Sequence, residues 1–252
     1  LEFRRVLFRS YIATPPATHP ALVAAAAAAG RHVLVEKPAA ASLAGARAMV
    51  AAAEAGGVRL AVCFPLRHDP RYQQLRAWLR AGRVGELAYL RAQLARGYDL
   101  DPAAWRADPR LAGGGIIWDL GSHLLDLAVW LGGPLARLTA QAHREPGWAV
   151  ERNALLAGQF VSGALASLEL SWCSWGGHGA CELYGSAGTA ALTDDGARLE
   201  TDDGVETVPC EGPDVYLAEL LDFTEAVTAG RPAVTSGADG VVNTQWLEVA
   251  SR

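Results

Sequence analysis

Residues 113–133 read GGGIIWDLGSHLLDLAVWLGG and are the most informative segment of the chain. Apolar residues recur there every three or four positions, which predicts a helix over residues 116–131. In such a helix Asp119, His123 and Asp126 stand at i, i+4 and i+7 and share one face. A histidine and two carboxylates on a buried helix are costly unless they are paired or used. The segment alone fits either a structural histidine or a catalytic one.

The regions on either side of this helix have different patterns. Upstream, short apolar runs alternate with helical segments, which indicates a parallel sheet with helical crossovers. The predicted strands cover residues 11–15, 32–36 and 58–65, and the predicted helices cover 19–30, 42–55 and 70–81. Downstream, closely spaced strand-like runs predict an antiparallel or mixed open sheet. They cover residues 135–143, 152–161, 164–173, 179–184, 188–193 and 197–201, before an amphipathic helix at 215–229. Residues 86–96 fit helix or strand by periodicity.

Composition excludes several classes of function. The chain has 252 residues, of which 51% are hydrophobic and 19% charged, as in folded proteins and unlike disordered ones. A net charge of −5 without a basic block argues against a nucleic-acid partner. The apolar run at residues 21–29 is too short to span a membrane. Four cysteines without a CxxC pair indicate reduced thiols and a cytoplasmic location, with no metal site.

Three motifs occur in a fixed order along the chain. They are ATPxxxH at residues 13–19, EKP at residues 36–38, and GGGxxxDxGxHxxD at residues 113–126. With them the chain resembles the Gfo/Idh/MocA family of NAD(P)-dependent oxidoreductases over about residues 11–250. The resemblance implies an α/β fold, with a truncated Rossmann-like parallel sheet domain at 11–84. An α+β domain with a large open, mostly antiparallel sheet would follow at 85–252, and residues 86–96 would be a strand.

The start of the chain departs from the family pattern. A member is expected to begin with a strand, a GxGxxG turn and a helix, whose backbone holds the cofactor pyrophosphate. No such turn occurs near the start, and residues 1–10 read LEFRRVLFRS. We interpret residues 1–10 as a non-native leader and expect the genuine sequence to begin near Tyr11, in the fourth strand of a full Rossmann sheet. On this interpretation the activity belongs to the parent protein, and the chain itself can be an inactive fragment.

The resemblance also implies which residues form the site. Lys37, Asp119 and His123 are expected to be catalytic: Lys37 polarises or protonates the reacting oxygen, His123 takes the hydroxyl proton near neutral pH, and Asp119 binds a substrate hydroxyl. The residues expected to contact the cofactor are Thr14, Pro15, Pro16, His19, Glu36 and Lys37. Those expected to contact substrate are Arg67, Trp105, Arg106 and Asp119. His19 fits a helix cap equally well, Arg67 and Arg106 fit surface ion pairs, and Asp126 is expected to be structural.

The function that follows from the resemblance is hydride transfer between NAD or NADP and a hydroxyl-bearing carbon of a sugar, cyclitol or related polyol. The family's exposed sheet implies a homo-dimer or homo-tetramer. Two alternatives remain at this point. One is a non-catalytic binding or structural remnant of the fold. The other is a metal-dependent lyase or hydrolase that uses Asp119, His123 and Asp126 as ligands.

Overall fold

The first part of the structure is a small parallel sheet with helices. The computed structural model describes residues 9–252. Three strands pair in parallel in the order β1-β2-β3, as the alternating pattern predicts. The elements are β1 (Arg9–Ile12), α1 (His19–Ala28), β2 (His32–Val35), α2 (Leu43–Ala55) and β3 (Leu60–Val62). The hydroxyl of Ser42 caps α2 by accepting a hydrogen bond from the Gly45 N–H, which is why the helix begins there.

The predicted leader at residues 1–10 overlaps the first strand. Arg9 pairs with His32 and Ser10 with Val33, so β1 begins two residues before Tyr11. That residues 1–10 are a non-native leader stays a prediction. Residues 1–8 lie outside the described part of the chain. Strands pair through backbone N–H and C=O groups, which nearly every residue has. The side chains of residues 9 and 10 therefore did not show that the strand begins there.

The second part is built on one large mixed sheet. The elements are α3 (Pro70–Arg80), β4 (Leu87–Arg96), α4 (Pro109–Ala112), α5 (Ile116–Gly132), β5 (Leu135–His143), β6 (Asn153–Phe160), β7 (Leu165–Ser171), β8 (Gly177–Gly185), β9 (Gly188–Leu192), β10 (Gly196–Thr201), β11 (Gly204–Pro209), α6 (Val215–Ala229) and α7 (Gly237–Ala250). The strands of the sheet follow the order β11-β10-β9-β8-β4-β7-β6-β5, with β4 and β7 parallel and all other neighbours antiparallel. This confirms the predicted fold class.

Alternation of side chains explains how the large sheet holds α5. On β7, Ala166, Leu168 and Leu170 are buried, whereas the residues between them point to the other face. Helix α5 packs against β4, β6 and β7, and its Leu124, Leu125 and Leu127 are fully buried in the same core. Burying a leucine side chain contributes about 1.5–3 kcal/mol, so this contact fixes the helix that carries Asp119 and His123.

The last two helices return to the small sheet. Phe223 of α6 packs with Leu34, Ala61 and Cys63, and α7 contacts both α2 and β3. The same α7 also packs against α5 and β5 of the second part. Helices α6 and α7, which follow the large sheet in the sequence, thus pack against the small sheet. The predicted domain boundary near residues 84 and 85 stays a prediction. Among residues 9–252, no helix has the length and apolar character needed to cross a membrane.

Candidate active site

Two motifs meet at the carboxyl ends of the parallel strands. Thr14 follows β1, and Glu36 and Lys37 follow β2. Ligands of parallel α/β sheets bind at this edge, because the connecting loops leave a crevice there. The Tyr11 hydroxyl donates a hydrogen bond of 2.5 Å to Glu36 Oε1, which fixes the carboxylate beside Lys37.

His19 joins the two loops at this edge. Its ring is fully buried, with Nδ1 3.0 Å from the Ala39 carbonyl oxygen and Nε2 2.7 Å from that of Thr14. It is therefore neither a helix cap nor a residue in contact with the cavity described below. It holds the Thr14 loop against the loop that follows Lys37, which makes it a positioning residue.

The start of α5 is fixed by a residue that the sequence did not single out. Glu151 Oε1 accepts hydrogen bonds from the backbone N–H groups of Gly115 and Ile117, both at 3.1 Å. A side chain at position 115 would meet the Glu151 carbonyl oxygen at 2.2 Å, so only glycine allows this close approach. Gly115 therefore allows the backbone contact that fixes the start of α5, the helix that carries Asp119.

Asp119 is the centre of the site. Lys37 Nζ donates to Asp119 Oδ1 at 2.9 Å and to the Asp119 carbonyl oxygen at 3.1 Å. Trp172 Nε1 donates to Oδ2 at 3.2 Å, so both carboxylate oxygens are engaged. An ammonium has three donors, and Lys37 therefore keeps one N–H for another acceptor. The EKP and DxGxH motifs, 82 positions apart, form one unit.

The charges of this unit set the protonation states. Burial raises the pKa of Asp119, but the charge and hydrogen bond of Lys37, with smaller contributions from His123 and Arg106, lower it overall, so the carboxyl group stays ionised. Burial lowers the pKa of His123, and Lys37 lowers it further, against a smaller opposite effect of Asp119. His123 is therefore neutral at pH 7 and able to accept a proton. The titration expected near neutral pH moves to more acid pH.

A cavity of about 280 Å³ opens beside Lys37 and Asp119. It brings together most of the predicted cofactor and substrate residues, namely Thr14, Pro16, Glu36, Lys37, Trp105, Arg106 and Asp119. The Arg106 guanidinium carbon lies 4.4 Å from the centroid of the Trp105 ring, which orients both side chains. Pro15 and His19 are not among the lining residues.

A second cavity, of about 660 Å³, contains His123. Its volume falls in the range of about 300–1,000 Å³ that is usual for small-molecule pockets. Leu120 and His123, one face of α5, form one wall, and Tyr98 and Tyr216 contribute phenol groups. The buried Nδ1 of His123 has no hydrogen-bond partner within the described residues.

Arg67 and Asp126 lie apart from both cavities. Arg67 Nε and Nη2 donate to Asp126 Oδ2 and Oδ1 at 2.9 and 2.6 Å, and Nη2 also donates to Asp239 Oδ1 at 3.0 Å. The side chains of Arg67 and Asp126 are only 7% and 3% exposed. Arg67 thus forms a buried ion pair and lines neither cavity, and its expected contact with substrate stays a prediction. Asp126 is structural, as expected.

The metal-centre alternative loses its ligand set in this arrangement. Asp126 faces Arg67, whereas Asp119 faces Lys37, so the carboxylates do not converge with His123 on one point. In the part of the chain that the structure describes, no group of three or more His, Cys, Asp and Glu residues is placed to hold a metal ion.

One signal for the site was present in the sequence and missed. Lys37 is the only lysine among 252 residues, although Lys and Arg together number 22. In a chain that otherwise uses arginine for positive charge, a single lysine indicates a position where the compact, reactive ammonium matters. Glu219 was missed as well, because a lone glutamate on an amphipathic helix carries no distinctive pattern.

Glu219 ties α6 to the end of β3. Its Oε1 accepts a hydrogen bond of 2.6 Å from the Phe64 N–H, and its side chain is almost completely buried. Burial raises the pKa of Glu219 to about 8; the Phe64 N–H lowers it in part, and nearby Glu36 raises it. The carboxyl group is therefore protonated at pH 7.

Replacing Glu219 with glutamine is expected to remove a pH dependence of stability. A pKa raised from 4.5 to about 8 gives a contribution that is complete below pH 4.5 and is lost as the pH rises through 8. The difference in free energy of unfolding between wild type and E219Q should therefore fall with rising pH, by roughly 5 kcal/mol in all. Urea denaturation at several pH values measures it. Exposed Glu200→Gln is the control, and parallel wild-type and E219Q curves would contradict the prediction.

Comparison with known proteins identifies the two parts of the chain. A family model described as "Oxidoreductase family, NAD-binding Rossmann fold" matches residues 10–64. A second, described as "GFO/IDH/MocA C-terminal domain", matches residues 72–191. The first model covers the small parallel sheet with Lys37, and the second covers α5 with Asp119 and His123.

Relatives and solved structures agree with these matches. A D-apiose dehydrogenase from Paraburkholderia graminis is 34% identical over 83% of this chain, and the match spans 57% of that protein. An inositol 2-dehydrogenase from Acidothermus cellulolyticus is 30% identical over 95% of this chain and 72% of its own length. The crystal structure of an oxidoreductase from Agrobacterium radiobacter in complex with NAD+, L-tartaric acid and magnesium has a TM-score of 0.86 and 27% identity, covering 97% of this chain and 77% of that one.

These matches extend over both sheets and all three sequence motifs. They confirm the predicted resemblance and leave the metal-centre alternative without support. The chain belongs to the GFO/IDH/MocA family of NAD(P)-dependent oxidoreductases.

Proposed function

We propose that the whole protein transfers a hydride between NAD or NADP and a hydroxyl-bearing carbon of a sugar, cyclitol or related polyol. The observation that carries the proposal is the Lys37–Asp119 ion pair, with His123 one turn further along α5. The names of the relatives, an apiose and an inositol dehydrogenase, support the substrate class. The match spans little more than half of the apiose dehydrogenase, so the activity is proposed for the whole protein.

The residues of the first cavity fit the nicotinamide end of the cofactor. The cavity lies at the carboxyl edge of β1 and β2, where parallel sheets bind nucleotides. Glu36 offers a carboxylate to ribose hydroxyls, Thr14 and Pro16 form a wall, and Arg106 offers a cation. When bound, the nicotinamide accepts or supplies the hydride.

The protein's own residues handle the proton. Neutral His123 accepts a proton from the substrate hydroxyl, because its lowered pKa leaves the imidazole uncharged at pH 7. The remaining N–H of Lys37 donates to the same oxygen and stabilises negative charge that develops there. Asp119 keeps the ammonium in place and charged, and Trp172 orients Asp119.

The test combines cofactor binding with chemical labelling of the single lysine. NADH and NADPH are titrated into the 252-residue chain, with its eight tryptophans as energy donors. Lys37 is then modified with pyridoxal phosphate and borohydride, with and without NADH. We expect saturable binding and protection of Lys37, while the N-terminal amine is labelled equally in both samples. A folded chain with neither binding nor protection would contradict cofactor binding by this chain.

We further infer a cytoplasmic homo-dimer or homo-tetramer that assembles through the outer face of the large sheet. Leu155, Leu165 and Tyr184 are exposed on that face, and exposed apolar groups in one patch favour association. The free thiols of the described cysteines are consistent with a reducing compartment. Sedimentation velocity measures the assembly state, and a monomer at micromolar concentration would contradict the inference.

A further inference from the structure

The cavity beside His123 has an unusual balance of charge. Its described lining contains one cation, the Arg96 guanidinium, and no carboxylate. Most polyols are neutral and need no cation for recognition. A cation in the lining with no carboxylate beside it therefore points to a substrate group with negative charge.

Arg96 is placed to meet such a group. It ends β4 and lies two residues after Leu94, on the same face of the sheet that α5 covers. Its guanidinium carbon lies 5.7 Å from the centroid of the Tyr98 ring, and Tyr98 also lines the cavity. Within residues 9–252 this guanidinium forms no ion pair, so its charge is available to a ligand.

The carboxylates near the cavity do not cancel this charge. Asp119 is paired with the Lys37 ammonium, and Glu36 lines the other cavity, beside Lys37. Glu219 is protonated because burial raises its pKa. Asp214 accepts the N–H groups of residues 216 and 217 at the start of α6 and is not among the lining residues. Asp99, next to Tyr98 in the chain, is not among the lining residues.

We propose that this cavity binds a polyol that carries a carboxylate, an aldonate or a uronate, with the carboxylate on Arg96 and a hydroxyl-bearing carbon at His123. The proposal rests on the proposed hydride transfer and names its substrate class. A guanidinium binds a carboxylate through two parallel hydrogen bonds, which fixes the direction of the polyol chain. The reacting hydroxyl is then presented to His123.

Calorimetry on the whole chain compares three ligands with similar carbon chains, D-gluconate, D-glucitol and D-glucitol 6-phosphate. Glucitol replaces the carboxylate of gluconate with a neutral hydroxymethyl group. A charge-assisted hydrogen bond is worth about 1.5–3 kcal/mol, so gluconate should bind roughly 10-fold tighter or more than glucitol. Arg96→Gln should abolish the preference, and Arg96→Lys should restore part of it. Exposed Arg80→Gln is the matched control and should keep the preference.

Each result decides between defined alternatives. Equal or tighter binding of glucitol, or no binding of any polyol, would overturn the carboxylate assignment. Tighter binding of the phosphate than of gluconate would overturn it in favour of a sugar phosphate. A separate NADH titration distinguishes this failure from that of the proposed function. Arg96-dependent gluconate binding without NADH binding would keep the site assignment and contradict hydride transfer by this chain.

Discussion

In the whole protein, replacing Lys37 with methionine is expected to lower kcat for the proposed NAD(P)-dependent polyol oxidation by about 10²- to 10⁴-fold, the usual contribution of a positioned proton-handling group. Methionine keeps much of the length of the side chain but removes all three N–H donors. The reacting oxygen loses the donor that stabilises its developing charge. Asp119 loses the cation that holds it ionised, so its pKa rises. Initial rates of formation of the reduced nicotinamide measure the effect.

Two controls separate catalysis from folding. The double variant Lys37→Met, Asp119→Asn removes the unpaired carboxylate, and it should recover stability but not turnover. Lys37→Arg keeps the positive charge but changes the donor geometry and holds its proton, so it should rescue kcat only in small part. A kcat of Lys37→Met within threefold of wild type would remove the lysine from the mechanism.

Replacing Asp126 with alanine is expected to lower the free energy of unfolding by about 3–5 kcal/mol, the cost of breaking a buried ion pair by removing one partner. Arg67 is 7% exposed and would keep only Asp239 and the Val234 carbonyl as acceptors. The pair links α5 to the turn after β3, and Asp239 adds α7. Urea denaturation followed by tryptophan fluorescence measures the loss.

An exposed ion pair provides the matched control for this prediction. Arg198 and Glu200 are bonded at 2.7 Å, but their side chains are 49% and 58% exposed. Glu200→Ala should therefore cost less than about 1 kcal/mol. The double variant Arg67→Met, Asp126→Leu fills the space with apolar groups and should recover most of the loss. If Asp126→Ala costs no more than Glu200→Ala, the buried pair is not what joins these elements.

The elements themselves were largely predictable. Helix α5 was expected at residues 116–131 and runs over Ile116–Gly132, because its leucines keep a helical period. Strand β7 was expected at 164–173 and runs over Leu165–Ser171, because its apolar residues alternate. The strand at 58–65 is shorter than expected, since Pro65 begins a 3₁₀ turn. Strand β11 was not predicted, because its apolar residues are few.

The residues of the site could be predicted from the sequence, but the side chain that each of them contacts could not. The motifs identified Lys37 and Asp119, and the structure joins them at 2.9 Å. Periodicity placed Asp119, His123 and Asp126 on one face, yet each one faces a different environment in the fold. The sequence fitted Arg67 equally well as a substrate contact and as a member of an ion pair. Its partner in the ion pair, Asp126, lies 59 positions further along the chain. No local pattern links positions that far apart.

The sequence by itself determined where helices and strands form, the family of the chain and the side chains that carry the chemistry. These follow from periodicity and from motif residues close together in the chain. Only the tertiary structure decided which cation meets which carboxylate, that His123 is neutral, and that Asp119 and His123 line different cavities. The physical reason is that a pKa and an ion pair depend on burial and on charges brought within a few ångströms, and folding alone sets those distances.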